Sequence, residues 1–201
     1  MADRLRLLRT ETPSLTDRAI EDVRFIRRTM ERAAALTVVP GWGGVLMGAV
    51  ALVAAPIAAH AETSARWLGV WIGAAALALL IGASDMIQKV RANESALLRG
   101  PAWRFAASLV PAFFTAACLT LVLFRAGASA HLPGLWLSLY GVGVIAAGTY
   151  SIAPVRWVGA SFLFTGTCAL LAPALGDWFM AFGFGGLHVG FGVWIARHHG
   201  G

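Results

Sequence analysis

The sequence predicts an all-α integral membrane protein: a six-transmembrane-helix bundle preceded by an amphipathic cytoplasmic helix. Of its 201 residues, 58% are hydrophobic and only 13% are charged, and the mean hydropathy is +0.72. Soluble domains carry about 25% charged residues. The apolar residues form six runs, most of them close to the roughly 20 residues that a helix needs to cross a hydrocarbon core. These runs and their short connections leave no room for a separate soluble catalytic domain.

A polar head, residues 1–36, precedes a transmembrane domain, residues 37–201. The spans are predicted at residues 38–59, 67–87, 103–124, 135–153, 157–171 and 178–196, with a long polar loop at 88–102. Tryptophan stands at the end of four spans, and the membrane interface is enriched in such aromatic side chains. These predicted interface anchors are Trp67, Trp103, Trp157 and Trp178.

The head contains an amphipathic pattern. Ile20, Val23 and Ile26 recur at three-residue spacing beside a face rich in arginine. This pattern predicts a helix within residues 14–36 that lies on anionic lipid, binds a cytoplasmic partner or docks on its own bundle. The charged stretch before the first apolar run is too long for a secretory signal, so we expect that run to be retained as a span.

The basic residues predict the orientation in the membrane. With the head inside the cell, fourteen of the sixteen Lys and Arg residues are cytoplasmic, and only Arg66 and Arg125 are outside. Because positive residues favour the cytoplasmic side, both termini are predicted in the cytoplasm, with the chain in a bacterial inner membrane. The basic residues flank the spans, so the lipid bilayer is the expected partner and nucleic acid is not.

Two short patterns recur along the chain and indicate an internal repeat. Arg66-Trp67-Leu68-Gly69 opens the second predicted span, and Arg156-Trp157-Val158-Gly159 opens the fifth. Pro40-Gly41 lies at the start of the first span, and Pro133-Gly134 lies immediately before the fourth. Two halves of three spans each would have inverted orientations, as in many transporters.

Gly-rich spans with Pro-marked turns carry a family resemblance. The residues are Gly44-Val45-Leu46-Met47-Gly48 through Pro56, Gly159 through Gly166 to Pro173, and the run from Gly183 to Gly192. In these residues the chain resembles the HdeD-type short-repeat six-helix bacterial membrane proteins. The resemblance covers about half of the chain and implies six helices and an association with acid stress, but no catalytic residue. The charged head and the loop 88–102 depart from the family pattern.

Two ionisable residues within the spans are candidates for a ligand contact or a proton relay. His188 lies near the middle of the sixth span, where ionisable groups are rare and often functional. The alternative is a neutral histidine that forms a hydrogen bond across helices, with Tyr140, Tyr150 or Thr165 as partner. Asp85 lies near the cytoplasmic end of the second span, where it could form an ion pair with Lys89 four residues later.

The remaining polar residues predict neither a metal site nor a cofactor. His60, Glu62, His131 and Asp177 fall on the outer side without ligand spacing in any one segment. A haem held by two histidines needs two deep axial ligands, and His188 is the one deep histidine. An intramembrane protease could pair Ser161 with His188, although Gly159-Ala160-Ser161-Phe162 lacks the final glycine of the GxSG motif that rhomboid proteases carry.

The sequence thus predicts a non-enzymatic membrane protein of stress-associated, regulatory or scaffold type. One alternative is a small-solute or ion transporter of two inverted halves, and another is an enzyme that uses Ser161 and His188. A water-filled cavity that reaches His188 would favour transport, and a solid bundle would favour a scaffold. Glycine pairs at four-residue spacing predict close helix packing and a possible homodimer. They are Gly44/Gly48, Gly69/Gly73 and Gly186/Gly190.

Overall fold

The computed structural model describes residues 20–26, 39, 41–92 and 96–199, and the regular structure within them is helical throughout. The chain divides into two units, Met1–Ala34 and Ala35–Gly201. In the first unit, residues 20–26 are helical, inside the segment predicted as an amphipathic helix. The remainder of that predicted helix lies outside the described residues.

The second unit is a bundle of antiparallel helices. The first five are α1 (Trp42–Ala59), α2 (Ser64–Ala92), α3 (Ala96–Arg125), α4 (Leu132–Ala147) and α5 (Pro154–Leu171). The last helix, α6, runs continuously over residues 176–199 as α-helical Gly176–Met180, π-helical Ala181–Leu187 and α-helical His188–His199. Three connections lie at one end of the bundle, which we call the upper end: 60–63, 126–131 and 172–175. The end with connection 148–153 is the lower end.

Five helical stretches are long and apolar enough to cross a membrane, so this is a helical membrane protein. They are Trp42–Ala59, Ser64–Arg91, Ala102–Arg125, Ser129–Tyr150 and Pro173–His198. These correspond to the first four predicted spans and the sixth. The predicted fifth span corresponds to α5, which is helical over 18 residues but is not one of the five. Arg156 in its first turn, with Ser161, Thr165 and Thr167, lowers the hydropathy of this 18-residue helix.

The prediction of a polar loop at residues 88–102 is wrong. Helix α2 continues to Ala92 and α3 begins at Ala96, so most of this segment is helical. Lys89 and Arg91 lower the hydropathy, but lysine and arginine are good helix formers and do not end a helix. With 29 residues, α2 is about 44 Å long, more than the roughly 30 Å of a hydrocarbon core. The polar part of the helix therefore extends beyond the apolar layer.

Two glycine interfaces bring helices into close contact. Between α1 and α6, a Cβ on Gly48 would lie 2.7 Å from Gly185 O, and one on Gly44 would lie 3.4 Å from the Cα of Gly192. Between α4 and α5, a Cβ on Gly141 would lie 2.5 Å from the backbone nitrogen of Leu163. At Gly48 and Gly141 a larger residue would collide with the backbone of the neighbouring helix, whereas the distance at Gly44 is an ordinary van der Waals contact. The pair Gly44/Gly48 thus packs inside the chain.

Helices α2 and α3 lie at the periphery. In the apolar stretch of α2 only 6% of the residues are buried inside the protein, and in that of α3 only 11%. The corresponding shares are 39% for α1 and 50% for α4. Helix α2 packs against α1 and α3 packs against α4, but α2 and α3 scarcely touch each other. The bundle is therefore least closely packed between α2 and α3.

Candidate ligand site at Tyr140 and His188

His188 forms a hydrogen bond with Tyr140 in the centre of the bundle. The Tyr140 hydroxyl lies 2.8 Å from His188 Nε2, and His188 Nδ1 lies 3.0 Å from the carbonyl oxygen of Phe184. A carbonyl oxygen only accepts, so Nδ1 carries the proton and donates to Phe184. In the neutral ring Nε2 is then the acceptor, and the Tyr140 hydroxyl donates to it. Of the three predicted partners for an interhelical bond, Tyr140 is the one that His188 contacts.

The π-helical turn Ala181–Leu187 places Phe184 and His188 on the face of α6 towards α4. This turn contains Gly183, Gly185 and Gly186, which have no side chain to favour a regular α-helix. A Cβ at Gly183 would collide with Leu137 of α4, and one at Gly185 would lie 2.5 Å from Leu52 of α1. The glycines therefore let α6 fit between α4 and α1. Single π-turns inside α-helices are frequent at functional sites.

Aromatic rings enclose the Tyr140–His188 pair. Phe162, which is fully buried, lies edge-on to both members at centroid distances of 4.8 Å and 5.0 Å. The Phe184 ring lies 5.4 Å from Tyr140, and that of Phe113 lies 6.2 Å from it. Edge-to-face contacts at these distances are favourable. The hydrogen-bonded pair is thus held rigidly among rings of α3, α5 and α6.

A cavity of about 330 Å³ extends from this pair towards the upper end. It lies between α1, α2, α3, α4 and α6 and has an almost wholly apolar wall. We call it the upper cavity. Its wall consists of Met47, Ala51, Trp67, Leu68, Trp71, Ile72, Ala74, Ala75, Ala76, Ala78, Leu79, Phe113, Trp136, Tyr140, Met180, Phe184 and His188.

A second cavity, of about 260 Å³, lies on the other side of the pair. This lower cavity is bounded by Val39 and Met86 near the lower end, and Tyr140 and His188 belong to its wall as well. The pair therefore stands between two cavities that face opposite ends of the bundle. Both cavities are mainly apolar, so neither has the polar wall of a water-filled channel.

No family model, curated protein or solved structure matches this chain. The resemblance to HdeD-type proteins stays a prediction.

Asp85 and Lys89 lie one turn apart on α2, as their spacing predicts. Lys89 Nζ donates to the Val39 carbonyl oxygen at 3.0 Å. Asp85 Oδ2 is buried without a hydrogen-bond partner among the described residues. Asp85 belongs to the wall of neither cavity. The structure thus brings Asp85 close to Lys89 and not to His188.

Ser161 and His188 are not hydrogen-bonded to each other. The Ser161 hydroxyl donates to the Trp157 carbonyl oxygen at 3.0 Å within its own helix. The lone pair of His188 Nε2, which a nucleophilic serine would need as its base, already accepts from Tyr140. The geometry therefore lacks the contact on which a serine hydrolase depends.

The polar residues predicted on the outer side lie at the upper end but do not converge. Asp177 accepts a hydrogen bond of 2.7 Å from Trp67 Nε1, and His60 Nδ1 donates to the Pro56 carbonyl oxygen. Within the described part of the chain, no three His, Cys, Asp or Glu side chains are grouped as metal ligands. Of the four predicted interface anchors, Trp103, Trp157 and Trp178 are largely exposed, whereas Trp67 is half-buried in the cavity wall.

The sequence predicted His188 as a site residue and Tyr140 as one of three alternative partners for it, but it did not predict the cavity wall. Trp71, Phe113 and Phe184 all contribute to it, and none of them was predicted as a site residue. One signal was present in the sequence: Gly183-Phe184-Gly185-Gly186 is a run of glycines immediately before the deep histidine. Such a run indicates an irregular helix next to an ionisable group.

Proposed function

We propose that this chain is a non-enzymatic, six-span protein of the bacterial inner membrane that binds a lipophilic molecule in the upper cavity. One observation carries the proposal: an apolar cavity of about 330 Å³, lined in part by α2 and α3, reaches the buried Tyr140–His188 pair. Its volume falls in the range of small-molecule sites, about 300–1,000 Å³. A molecule dissolved in the bilayer can enter sideways between two helices that scarcely touch.

The packing of α5 supports a sixth span. Along its whole length α5 lies antiparallel to α4: Gly134 faces Leu170, Gly141 faces Leu163, and Gly148 faces Arg156. A helix whose two ends lie beside both ends of a spanning helix must cross the same layer. Its polar groups are satisfied inside the protein, because Ser161, Thr165 and Thr167 donate to carbonyl oxygens of α5 itself.

Six spans put both termini on one side of the membrane, and the distribution of positive charge favours the cytoplasm. Helices α1 and α4 are the first helices of the two proposed halves, and each packs against the equivalent pair of helices. Helix α1 packs against α2 and α6, and α4 packs against α5 and α3, as two inverted halves would require. We therefore retain the inverted repeat as part of the proposal.

We propose that the protein has a stress-associated or regulatory role when a molecule occupies the upper cavity. The amphipathic segment 14–36 would then contact a cytoplasmic partner or the lipid surface. A homodimer remains part of the proposal because Gly69 and Gly73 of α2 have no atom within 4 Å of an added Cβ. This face of α2 is open to a neighbour in the membrane.

Filling the cavity tests the binding function. Ala75 lies in the wall of the upper cavity, whereas Ala117 of α3 is exposed and belongs to neither cavity. We expect the hydrocarbon durene (tetramethylbenzene) to raise the melting temperature of the wild type and of Ala117→Phe in lipid nanodiscs, because a ligand that binds only the folded state stabilises it. Ala75→Phe should abolish the shift. Equal shifts in both variants would place durene outside the cavity and refute the proposal.

The position of the Tyr140–His188 pair between two cavities favours transport as a second candidate function. A transporter for ions or small solutes would conduct through the pair, with His188 as a proton-relay residue. Pyranine-loaded proteoliposomes measure proton flux directly. Flux that His188→Gln abolishes would support transport, whereas a binding protein should give no flux above that of empty liposomes.

A further inference from the structure

The upper and lower cavities lie end to end along the bundle. On α2, the wall residues of the upper cavity run from Trp67 to Leu79 and those of the lower cavity from Ala78 to Met86. The order is the same on α6, where they run from Met180 to His188 and then from His188 to Ile195. The cavities therefore adjoin at the level of the Tyr140–His188 pair and are two segments of one elongated space. Six residues belong to both walls: Met47, Ala78, Leu79, Phe113, Tyr140 and His188.

This elongated space is narrow for its length. From Trp67 to Met86, which lie at its two ends, the axis of α2 rises about 29 Å. Spread over that length, the two volumes of about 330 Å³ and 260 Å³ correspond to a mean cross-section of roughly 20 Å². One extended hydrocarbon chain has this width, whereas a fused ring system or a pair of chains is wider.

The side chains at the boundary between the cavities permit a chain to pass. Tyr140 and His188 are held by their hydrogen bond and by the surrounding rings. Met47 and Leu79, in contrast, are apolar and adaptable: methionine has three rotatable bonds, and Leu79 is more than half exposed. A chain can displace these two side chains and pass beside the pair without breaking its hydrogen bond.

The walls determine what chemistry an occupant can have. Among the described residues, neither wall includes a Lys, Arg, Asp or Glu side chain. The polar side-chain atoms of Tyr140 and His188 already have hydrogen-bond partners. A polar group inside the space would therefore lose its hydration without compensation. An occupant must be apolar along its length, and any polar group must be terminal and lie beyond both walls.

Resting on the proposed binding function, we propose that the two cavities together hold one unbranched acyl chain of a lipid. The chain passes the Tyr140–His188 pair, fills both cavities and keeps its polar end outside them. A free fatty acid and one chain of a bilayer phospholipid share this chemistry. Methyl branches widen a chain beyond the cross-section of the space, so a branched chain should be excluded.

Nanodiscs of diphytanoyl phosphatidylcholine test this proposal, because all chains of that lipid carry methyl branches and should leave the site empty. We expect palmitic acid to raise the melting temperature of the full chain in these discs, since a ligand of the folded state stabilises it. Phytanic acid has the same backbone with methyl branches. Its half-maximal shift should require about tenfold more acid in the bilayer, because a branched chain cannot make the same dispersion contacts.

The source of the chain is distinguished by a second arm. Part of the disc lipid is replaced by palmitoyl-oleoyl phosphatidylcholine, and no acid is added. A higher melting temperature in these discs supports recognition of the chain whatever its head group. An effect of palmitic acid alone supports a site for a free fatty acid.

Ala106→Phe separates this proposal from the binding function. Ala106 belongs to the wall of the lower cavity and not to that of the upper one. The variant should weaken palmitic acid about tenfold, because the part of the chain in the lower cavity loses its dispersion contacts. The shift that durene gives in the upper cavity should remain. Ala117→Phe, which belongs to neither wall, is the matched control and should bind both compounds like the wild type.

Equal effects of palmitic and phytanic acid on the wild type, including no effect of either, would overturn the acyl-chain proposal, and this comparison needs no variant. A palmitic acid shift that Ala106→Phe leaves unchanged would overturn it as well. In both cases the binding function would stand, provided that durene still raises the melting temperature and Ala75→Phe abolishes that shift. Loss of this durene result would instead refute the binding function itself.

Discussion

His188 has one partner for each ring nitrogen, and both bonds depend on its position in α6. The Phe184 carbonyl oxygen four residues earlier fixes the proton on Nδ1, and the Tyr140 hydroxyl occupies the lone pair of Nε2. The surrounding rings exclude other polar groups. In this state the histidine links α6 to α4 and is available neither as a metal ligand nor as a base.

The Tyr140–His188 bond should make a modest contribution to stability. Tyr140→Phe removes the hydroxyl and keeps the ring, so we expect it to lower the free energy of unfolding by about 0.6 kcal/mol, the average for interhelical bonds in one well-studied bundle. Unfolding of the purified variant in a denaturing detergent measures this value. His188→Gln keeps a donor and an acceptor, so it should lower the free energy of unfolding less than His188→Leu does. A larger loss in the glutamine variant would indicate a role beyond this bond.

The partner of His188 could only be narrowed to three residues from the sequence. Thr165 donates instead to the Ser161 carbonyl oxygen in α5, and the Tyr150 ring lies at the lower end, where the Arg104 guanidinium is 6.0 Å from its centroid. Hydropathy indicates which residues are in a span. It does not indicate how each helix is rotated, because a span is apolar on its lipid face and on its protein face alike. The cavity wall depends on that rotation and could not be predicted.

At the scale of the elements, glycine determines which helices come together. The pattern of small residues predicted close packing, and Gly44 and Gly48 do pack closely against α6. The same spacing at Gly69/Gly73 meets nothing within 4 Å. The spacing alone therefore cannot distinguish a packed face from an open one. Gly141, which packs closely on Gly159 and Leu163, does not belong to any of the predicted pairs.

A substitution at Gly141 should be far more damaging than one at Gly73. A Cβ at Gly141 would lie 2.5 Å from backbone atoms of α5, which cannot move without displacing the helix. Overpacking costs typically 1–3 kcal/mol and more where backbones collide, so Gly141→Val should lower the melting temperature or prevent folding. Gly73→Val is the control: an added Cβ there meets no atom of the same chain within 4 Å, so the melting temperature of the monomer should be that of the wild type. Equal stability of the two variants in a thermal melt would show that α4 and α5 are not packed this closely.

The helical segment 20–26 permits a test of the head. If residues 14–36 lie on lipid or against a partner, the apolar side chains of Ile20, Val23 and Ile26 provide the contact. Replacing all three with serine should increase cleavage of the head by a protease added to inside-out vesicles, while the bundle stays inserted. Serine at the polar positions Glu21 and Asp22 serves as control. Unchanged cleavage in the triple variant would argue against a packed head.

At the scale of the whole molecule, the number of spans decides where the chain ends. With five spans, α5 would stay on the cytoplasmic side and α6 would carry the C-terminus out of the cell. With six, α5 crosses outwards and α6 returns. The antiparallel contact of α5 with α4 along its full length supports six, as does the concentration of Lys and Arg on one side.

Single cysteines at the two ends of α5 test this topology, after Cys118 and Cys168 are replaced by serine. Leu175 lies in the upper connection and Thr149 in the lower turn, and both are exposed. We expect an impermeant maleimide to label Leu175→Cys in intact cells and Thr149→Cys only after permeabilisation, because α5 separates the two positions by one membrane crossing. A reporter fused after Gly201 should then report the cytoplasm. Labelling of both cysteines from the same side, with the reporter outside, would mean that α5 does not cross and that the chain has five spans.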